Sequence, residues 1–273
     1  MKNFPASEKT VHSIQQGTGA PVILIHGLAA SLFDWNELLP ELAGAGYAAC
    51  ALDLPGHGQS FKPDDPGEYT LENLFAQVCG WIDTPQLNEP LILVGHSLGG
   101  YLAIQYALRR PERVRALVLA DPFYTPAQMP FYLQFYYRHP LVDPGIVARL
   151  PKWLIRQMVD LTSLSLRNGF ALSEEARLQT TADYQRAHPG IFNLLRSTHD
   201  LTPCLPAISQ PTLVLWGEHD QTLSPASFPK IVEQIPRASG GPIPGAGHVP
   251  HQSHAREFNR RVLEFLRSVN ISP

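Results

Sequence analysis

A serine between two glycines, Gly95-His96-Ser97-Leu98-Gly99, is the stretch of this chain best equipped for covalent chemistry. A serine hydroxyl is a poor nucleophile at neutral pH and needs a base within hydrogen-bond reach. Imidazole suits that role, because its unperturbed pKa of about 6.5 lets it take a proton and return it near neutrality. A carboxylate on the far ring nitrogen then holds the ring in the productive tautomer. The partners to find are one histidine and one acid that the fold can bring to Ser97.

The chain has 11 histidines. His96 adjoins Ser97, but consecutive side chains leave a tight turn in different directions, so its ring is not expected at the hydroxyl. His26 and His57 sit in glycine turns, where a structural bond to backbone is the expected role. His248, His251 and His254 have metal-motif spacing. Pro250 interrupts a helix there and no carboxylate or cysteine lies nearby, so no metal is expected. His248 is preferred as the base, because Gly245-Ala246-Gly247 places it on a close-approaching loop. Three acids compete for the third position: Glu218 and Asp220 after the apolar run ending at Trp216, and Asp121 after an earlier run.

These groups need a scaffold, and the apolar runs supply it. Val22–Ile25, Tyr47–Leu52, Leu91–Val94, Val114–Ala120 and Pro211–Trp216 read as strands buried on both faces. Thr10–Gln15 reads as an edge strand. Ala238–Pro244 stands where a last strand belongs but has poor propensity for one. Helical segments separate the strands: one capped by Ser31, one over 71–82, one after Ser97, one over 226–235, and a closing helix with Phe258, Val262, Phe265 and Leu266. This alternation predicts an α/β fold, a mostly parallel central sheet flanked by helices. His26, Asp53, Ser97, Asp121, Asp220 and His248 each directly follow a strand candidate, and in such sheets functional loops gather at the strands' carboxyl ends. Residues 1–121 and 207–273 form the expected core domain. Residues 122–206 break the alternation with prolines and helical stretches, and read as an inserted helical cap.

The Gly-x-Ser-x-Gly stretch lies between a strand and a helix, and that context explains its residue types. Reversing direction in so few residues strains the middle residue, usually at positive φ, by about 1–3 kcal/mol. Gly95 and Gly99 remove the Cβ atoms that would collide with the packed strand and helix. Free N–H groups at the helix start favour a developing oxyanion beside Ser97.

Composition narrows the function. The 273 residues are 44% hydrophobic and 16% charged, as in an ordered globular protein. A net charge of −3 offers no attraction to nucleic acid or anionic membrane. Three cysteines without paired spacing suggest free thiols in a reducing compartment. No apolar run reaches the ~18 residues of a membrane span, and Met1–Glu8 lacks a signal-peptide core. A cytoplasmic protein without stable membrane association, a monomer or homodimer, is expected.

Five motifs in order now carry a resemblance: His26-Gly27, Asp53-x-Pro-Gly-His-Gly-x-Ser60, Gly95-His-Ser-Leu-Gly-Gly100, Gly217-x-x-Asp220 and Gly247-His-x-Pro250. The chain resembles the α/β-hydrolase superfamily, specifically its cap-bearing, cofactor-free serine esterases, over nearly its whole length outside 122–206. The resemblance implies Ser97 as nucleophile, Asp220 as acid (the family order is Ser…Asp…His) and His248 as base. It implies an oxyanion hole from the backbone N–H groups of Leu28 and Leu98, and no cofactor. Relatives that act on haloalkanes or epoxides place an aspartate where this chain has Ser97, which argues against those chemistries. In the cap, Phe123, Tyr124, Phe131, Tyr132 and Phe135 are candidates for lining a substrate pocket.

The expected function is hydrolysis of small to medium, largely apolar carboxylic esters through an acyl-enzyme on Ser97. Alternatives using the same fold are a carbon–carbon bond hydrolase of the meta-cleavage-product type, an acyltransferase or perhydrolase, and a non-catalytic ligand receptor.

Overall fold

The computed structural model describes residues 10–84, 89–139, 143–165, 169–170 and 172–269. Met1–Glu8 lies outside the described residues. The first half builds β1 (Ser13–Gln16), β2 (Pro21–Ile25), α1 (Leu38–Gly44), β3 (Ala48–Leu52), α2 (Leu71–Ile82), β4 (Leu91–His96), α3 (Leu98–Arg109) and β5 (Val114–Ala120). The chain then leaves the sheet for α4 (Phe131–Arg138), α5 (Lys152–Ser163), the short antiparallel pair β6 (Leu164–Ser165) and β7 (Gly169–Phe170), and α6 (Glu174–Arg186). It returns as β8 (Thr212–Gly217), α7 (Phe228–Gln234), β9 (Ala238–Ile243), α8 (Pro250–Ser253) and α9 (Ala255–Ser268).

Seven strands form one sheet in the order β1-β3-β2-β4-β5-β8-β9. Only β1 runs antiparallel. The chain winds outward from β2 in both directions, so the crevice beyond β2 and β4 is the switch point where such sheets bind ligands. Alternation along the strands explains the layers. Ile23, Ile25, Leu91 and Leu93 join an apolar cluster with Leu74, Tyr101 and Phe228 from α2, α3 and α7. Val22, Leu24, Ile92 and Val94 point the other way, onto Leu38, Leu42, Phe258 and Val262 from α1 and α9. With both faces covered, every second residue and its neighbour must be apolar, which is why these strands read as continuous runs.

The weak strand of the sequence does form. Ala238–Ile243 pairs in parallel with β8, Trp216 opposite Pro242. It lies at the sheet's edge, where a proline costs no ladder bond on the open side.

Candidate active site

Ser97 stands at the sheet's switch point in a conformation that only a tight framework would hold, with φ 50° and ψ −112°. Three backbone bonds fix it. Its N–H donates to the Ala120 carbonyl at 3.0 Å, and its own carbonyl accepts from the N–H groups of Tyr101 at 3.1 Å and Phe123 at 3.1 Å. Strand β5 and helix α3 therefore grip the strained residue from both sides. Gly99 is required for the approach, since a Cβ there would lie 2.1 Å from the Ile25 carbonyl oxygen. Leu98 is the first residue of α3, so its N–H has no partner within the helix. Gly27 packs against the same turn, where an added Cβ would sit 3.3 Å from the Ser97 Cβ. That contact brings the Gly27-Leu28 segment to the serine's side, and Ala29 just beyond it also has positive φ, 56°.

His248 and Asp220 meet although 28 positions separate them: the Nδ1–H of His248 donates to Asp220 Oδ2 at 2.8 Å. Two loops are sewn together to achieve this. The His219 N–H donates to the Ala246 carbonyl at 2.9 Å, and the Gly245 N–H donates to Glu218 Oε2 at 3.0 Å. Gly217 permits the crossing, because a Cβ there would strike the Gly247 carbonyl oxygen at 2.0 Å. Asp220 is buried, and its other oxygen accepts from the N–H groups of Thr222 at 2.7 Å and Leu223 at 3.0 Å. Burial alone would raise its pKa, but His248 and the Leu223 N–H outweigh burial and hold the carboxyl below the usual range. Glu218, the neighbouring rival, is spent on the loop backbone.

Asp121, the other rival, is fully buried at φ 40°. Its Oδ1 accepts from the Gly217 N–H at 2.9 Å, while Oδ2 is buried without a hydrogen-bond partner, and a carboxyl oxygen of Asp121 lies within 4.8 Å of one of Asp220. Burial first, then the Asp220 charge, pushes its pKa well above the ordinary value. Asp121 is thus biased toward its neutral form beside the Asp220 charge, a setting its position in the sequence did not disclose.

His96 also does more than its sequence position suggested. Its Nε2–H donates to the His248 carbonyl at 2.8 Å, and the two rings lie 4.9 Å apart. The residue before the serine therefore holds the residue that carries the imidazole, side by side with it. His26 and His57 are structural, as expected. The Leu54 N–H donates to His26 Nε2 at 2.9 Å, His26 Nδ1–H donates to the Gly27 carbonyl, and His57 Nδ1–H donates to the Pro55 carbonyl. Burial, followed by repulsion from His26, pushes His57 down to about 3, so it stays neutral. Asp53 ties its loop together, accepting from the N–H groups of Leu32 and Gln59.

The aromatic candidates divide. Phe123 and Tyr124 are buried next to the serine turn, with the Phe123 N–H on the Ser97 carbonyl. Phe131, Tyr132 and Phe135 of α4 are 82%, 66% and 56% exposed. They face solvent, while Leu133 and Tyr137 of the same helix pack against the apolar core. A helical stretch aromatic on every side gave no signal for which side turns inward.

The model of the alpha/beta hydrolase family matches residues 22–261. The chain belongs to that family. This hydrolase is 30% identical over 279 residues to the 2-hydroxy-6-oxononadienedioate/2-hydroxy-6-oxononatrienedioate hydrolase of Burkholderia vietnamiensis, covering 96% of this chain and 92% of that one. It is 26% identical over 296 residues to bifunctional epoxide hydrolase 2 of Sus scrofa; 94% of the hydrolase is covered, but it spans only 53% of that relative's length. A thermophilic esterase from Thermogutta terrifontis superposes with a TM-score of 0.81 at 27% identity, over 95% of this hydrolase and 93% of the esterase.

Proposed function

We propose that this hydrolase cleaves carboxylic esters of small to medium, largely apolar substrates. The observation that carries the reading is the buried Asp220 bonded to His248 Nδ1, with the His248 carbonyl held by His96, the residue before a strained serine at the sheet's switch point. With Nδ1 committed as donor, Nε2 holds the lone pair that takes the Ser97 proton. The Ser97 oxygen forms a bond to the carbonyl carbon, and the carbonyl oxygen becomes an oxyanion. The Leu28 and Leu98 N–H groups would receive that charge; one such donor is worth ~2.7–4 kcal/mol. Collapse breaks the bond to the alkoxy oxygen, which takes the proton from His248 and leaves as alcohol. Water, deprotonated by the same ring, then attacks the acyl-enzyme and releases the acid, restoring Ser97.

An apolar substrate is favoured by Phe123, which is buried where its N–H meets the Ser97 carbonyl. The esterase likeness supports the ester reading. The full-length match to the Burkholderia protein favours a second one, carbon–carbon cleavage of a dienedioate, for which two carboxylates would need cationic partners. Epoxide opening is disfavoured by a serine where a nucleophilic carboxylate would be needed. The reducing cytoplasm is the proposed compartment, because Cys50, Cys79 and Cys204 are free thiols.

A panel of p-nitrophenyl esters from acetate to decanoate, run beside Ser97→Ala and a dienedioate, separates these readings. Ester turnover that falls by ~10⁴-fold or more in the variant is expected. Turnover of the dienedioate alone transfers the proposal to carbon–carbon cleavage, and turnover that survives Ser97→Ala ends both.

A further inference from the structure

Behind the catalytic loop lies a second constellation that the hydrolysis does not use. Asp34, His96 and His251 are buried together, from three parts of the chain: the turn after β2, the end of β4, and α8. Asp34 Oδ2 lies 3.6 Å from His96 Nδ1 and 3.8 Å from His251 Nε2. One oxygen and two ring nitrogens, one from each residue, all fall within 4.8 Å of one another.

These separations are too long for hydrogen bonds. Asp34 Oδ2, His96 Nδ1 and His251 Nε2 are all buried without a hydrogen-bond partner, and His251 is 0% exposed. Three buried polar atoms aimed at one another without a hydrogen bond call for an explanation, and an ion between them supplies one. The separations are close to the ~3.3 Å ligand edge expected from a tetrahedral ion with bonds near 2.0–2.1 Å.

For two of the three residues the outer contacts agree with that geometry; the remaining ring nitrogen of His251, Nδ1, has no hydrogen-bond partner. His96 donates its other ring nitrogen, Nε2–H, to the His248 carbonyl at 2.8 Å. This leaves Nδ1 as the lone-pair atom pointing at Asp34. Asp34 Oδ1 accepts from Gln252 Nε2 at 2.7 Å, which turns Oδ2 inward. Ligating histidines and carboxylates are usually oriented by such second bonds. Trp35 packs on the His251 ring at 4.7 Å and Phe258 meets it at 5.9 Å, closing the site to bulk water.

We propose that Asp34 Oδ2, His96 Nδ1 and His251 Nε2 bind one divalent transition-metal ion, zinc being the best match to two imidazoles, one carboxylate and a fourth position for water. The ion would be structural. It would fasten the turn after β2 and helix α8 to the end of β4, and through His96 it would hold the peptide of His248. The H-x-x-H-x-x-H spacing lacked a nearby acidic ligand in sequence, and Asp34 supplies one from 217 positions away. Of its three histidines, only His251 joins the site.

The test is metal content, read independently of ester turnover. Wild-type protein produced in zinc-supplemented medium and dialysed against a weak chelator should retain close to one zinc per chain. Asp34→Asn keeps the shape and the Gln252 contact, and His251→Phe keeps the ring packing; each should retain at least ~10-fold less. Because a variant could misfold, wild-type protein is also refolded with Co²⁺. Intense visible bands of a tetrahedral site, saturating at one equivalent, support the proposal. Zinc below a tenth of an equivalent in wild type, or equal content in folded variants, overturns it, as does refolding with no such bands. In those cases the three atoms are bridged by water.

Discussion

Two carboxylates share one corner of the site, and their surroundings shift them in opposite directions. Asp220 takes donors from His248, Thr222 and Leu223 and is held below the usual carboxylate range. Asp121, fully buried against that charge, is pushed well above it. Asparagine is therefore a fair replacement for Asp121 and a poor one for Asp220. On the best ester found, Asp220→Asn should lower kcat by ~10⁴-fold, because the ring loses its orienting acceptor and its productive tautomer. Asp121→Asn should stay within a few-fold of wild type, because an uncharged side chain of the same shape keeps an oxygen for the Gly217 N–H. Equal losses in the two variants would refute this division of roles. Asp121 sits directly after a strand, as Asp220 does, so position alone left the two as competitors; burial beside an ionised neighbour separated them.

Among the elements, the turn between β4 and α3 places the strictest demands on side-chain size. Gly99→Ala would set a methyl 2.1 Å from the Ile25 carbonyl oxygen, a backbone atom that cannot swing aside. A loss of at least ~1–3 kcal/mol in urea unfolding is expected. Gly80, inside α2, has no atom within 4 Å of an added Cβ. Gly80→Ala should stabilise the protein by ~0.5–1 kcal/mol, through a less flexible unfolded chain and better helix propensity. The opposite signs test whether packing at the turn, rather than glycine content in general, sets the cost. The turn was legible in sequence because its geometry admits few residue types. Strand β9 was less so, since an edge strand is relieved of the packing that makes central strands apolar.

For the molecule as a whole, the inserted segment meets the core through a buried polar contact. Ser31 donates to Asp183 Oδ2 at 2.8 Å and Gln179 donates to Oδ1 at 2.9 Å. Burial still pushes the Asp183 carboxyl up to about 7. Its unfolded value is near 3.9, so between about pH 4 and 7 the native state holds a proton that the unfolded state releases. This group's contribution is complete below that window and is lost as pH rises through it. Asp183→Asn removes the dependence. Relative to wild type, the variant should gain stability steadily from pH 5 to about pH 7 in urea titrations, and the difference should level off above that. A constant difference across that range would show that Asp183 does not titrate as its burial implies.

The sequence by itself determined the parallel α/β sheet, the break in strand–helix alternation after β5, the turn that carries Ser97, and the few histidines and acids from which its partners could come. Strands buried on both faces must be apolar throughout, and a sharp strand-to-helix turn must be glycine, serine, glycine; such local constraints leave their mark on neighbouring residues. Tertiary structure alone decided the rest. It determined which acid bonds to His248, that His96 grips the His248 carbonyl, that Asp34 lies against two histidines, and that Phe131, Tyr132 and Phe135 face solvent. Each of these depends on contacts between distant segments or on which side of a helix is covered. Side-chain type is the same whichever way those contacts fall, so it carries no record of them.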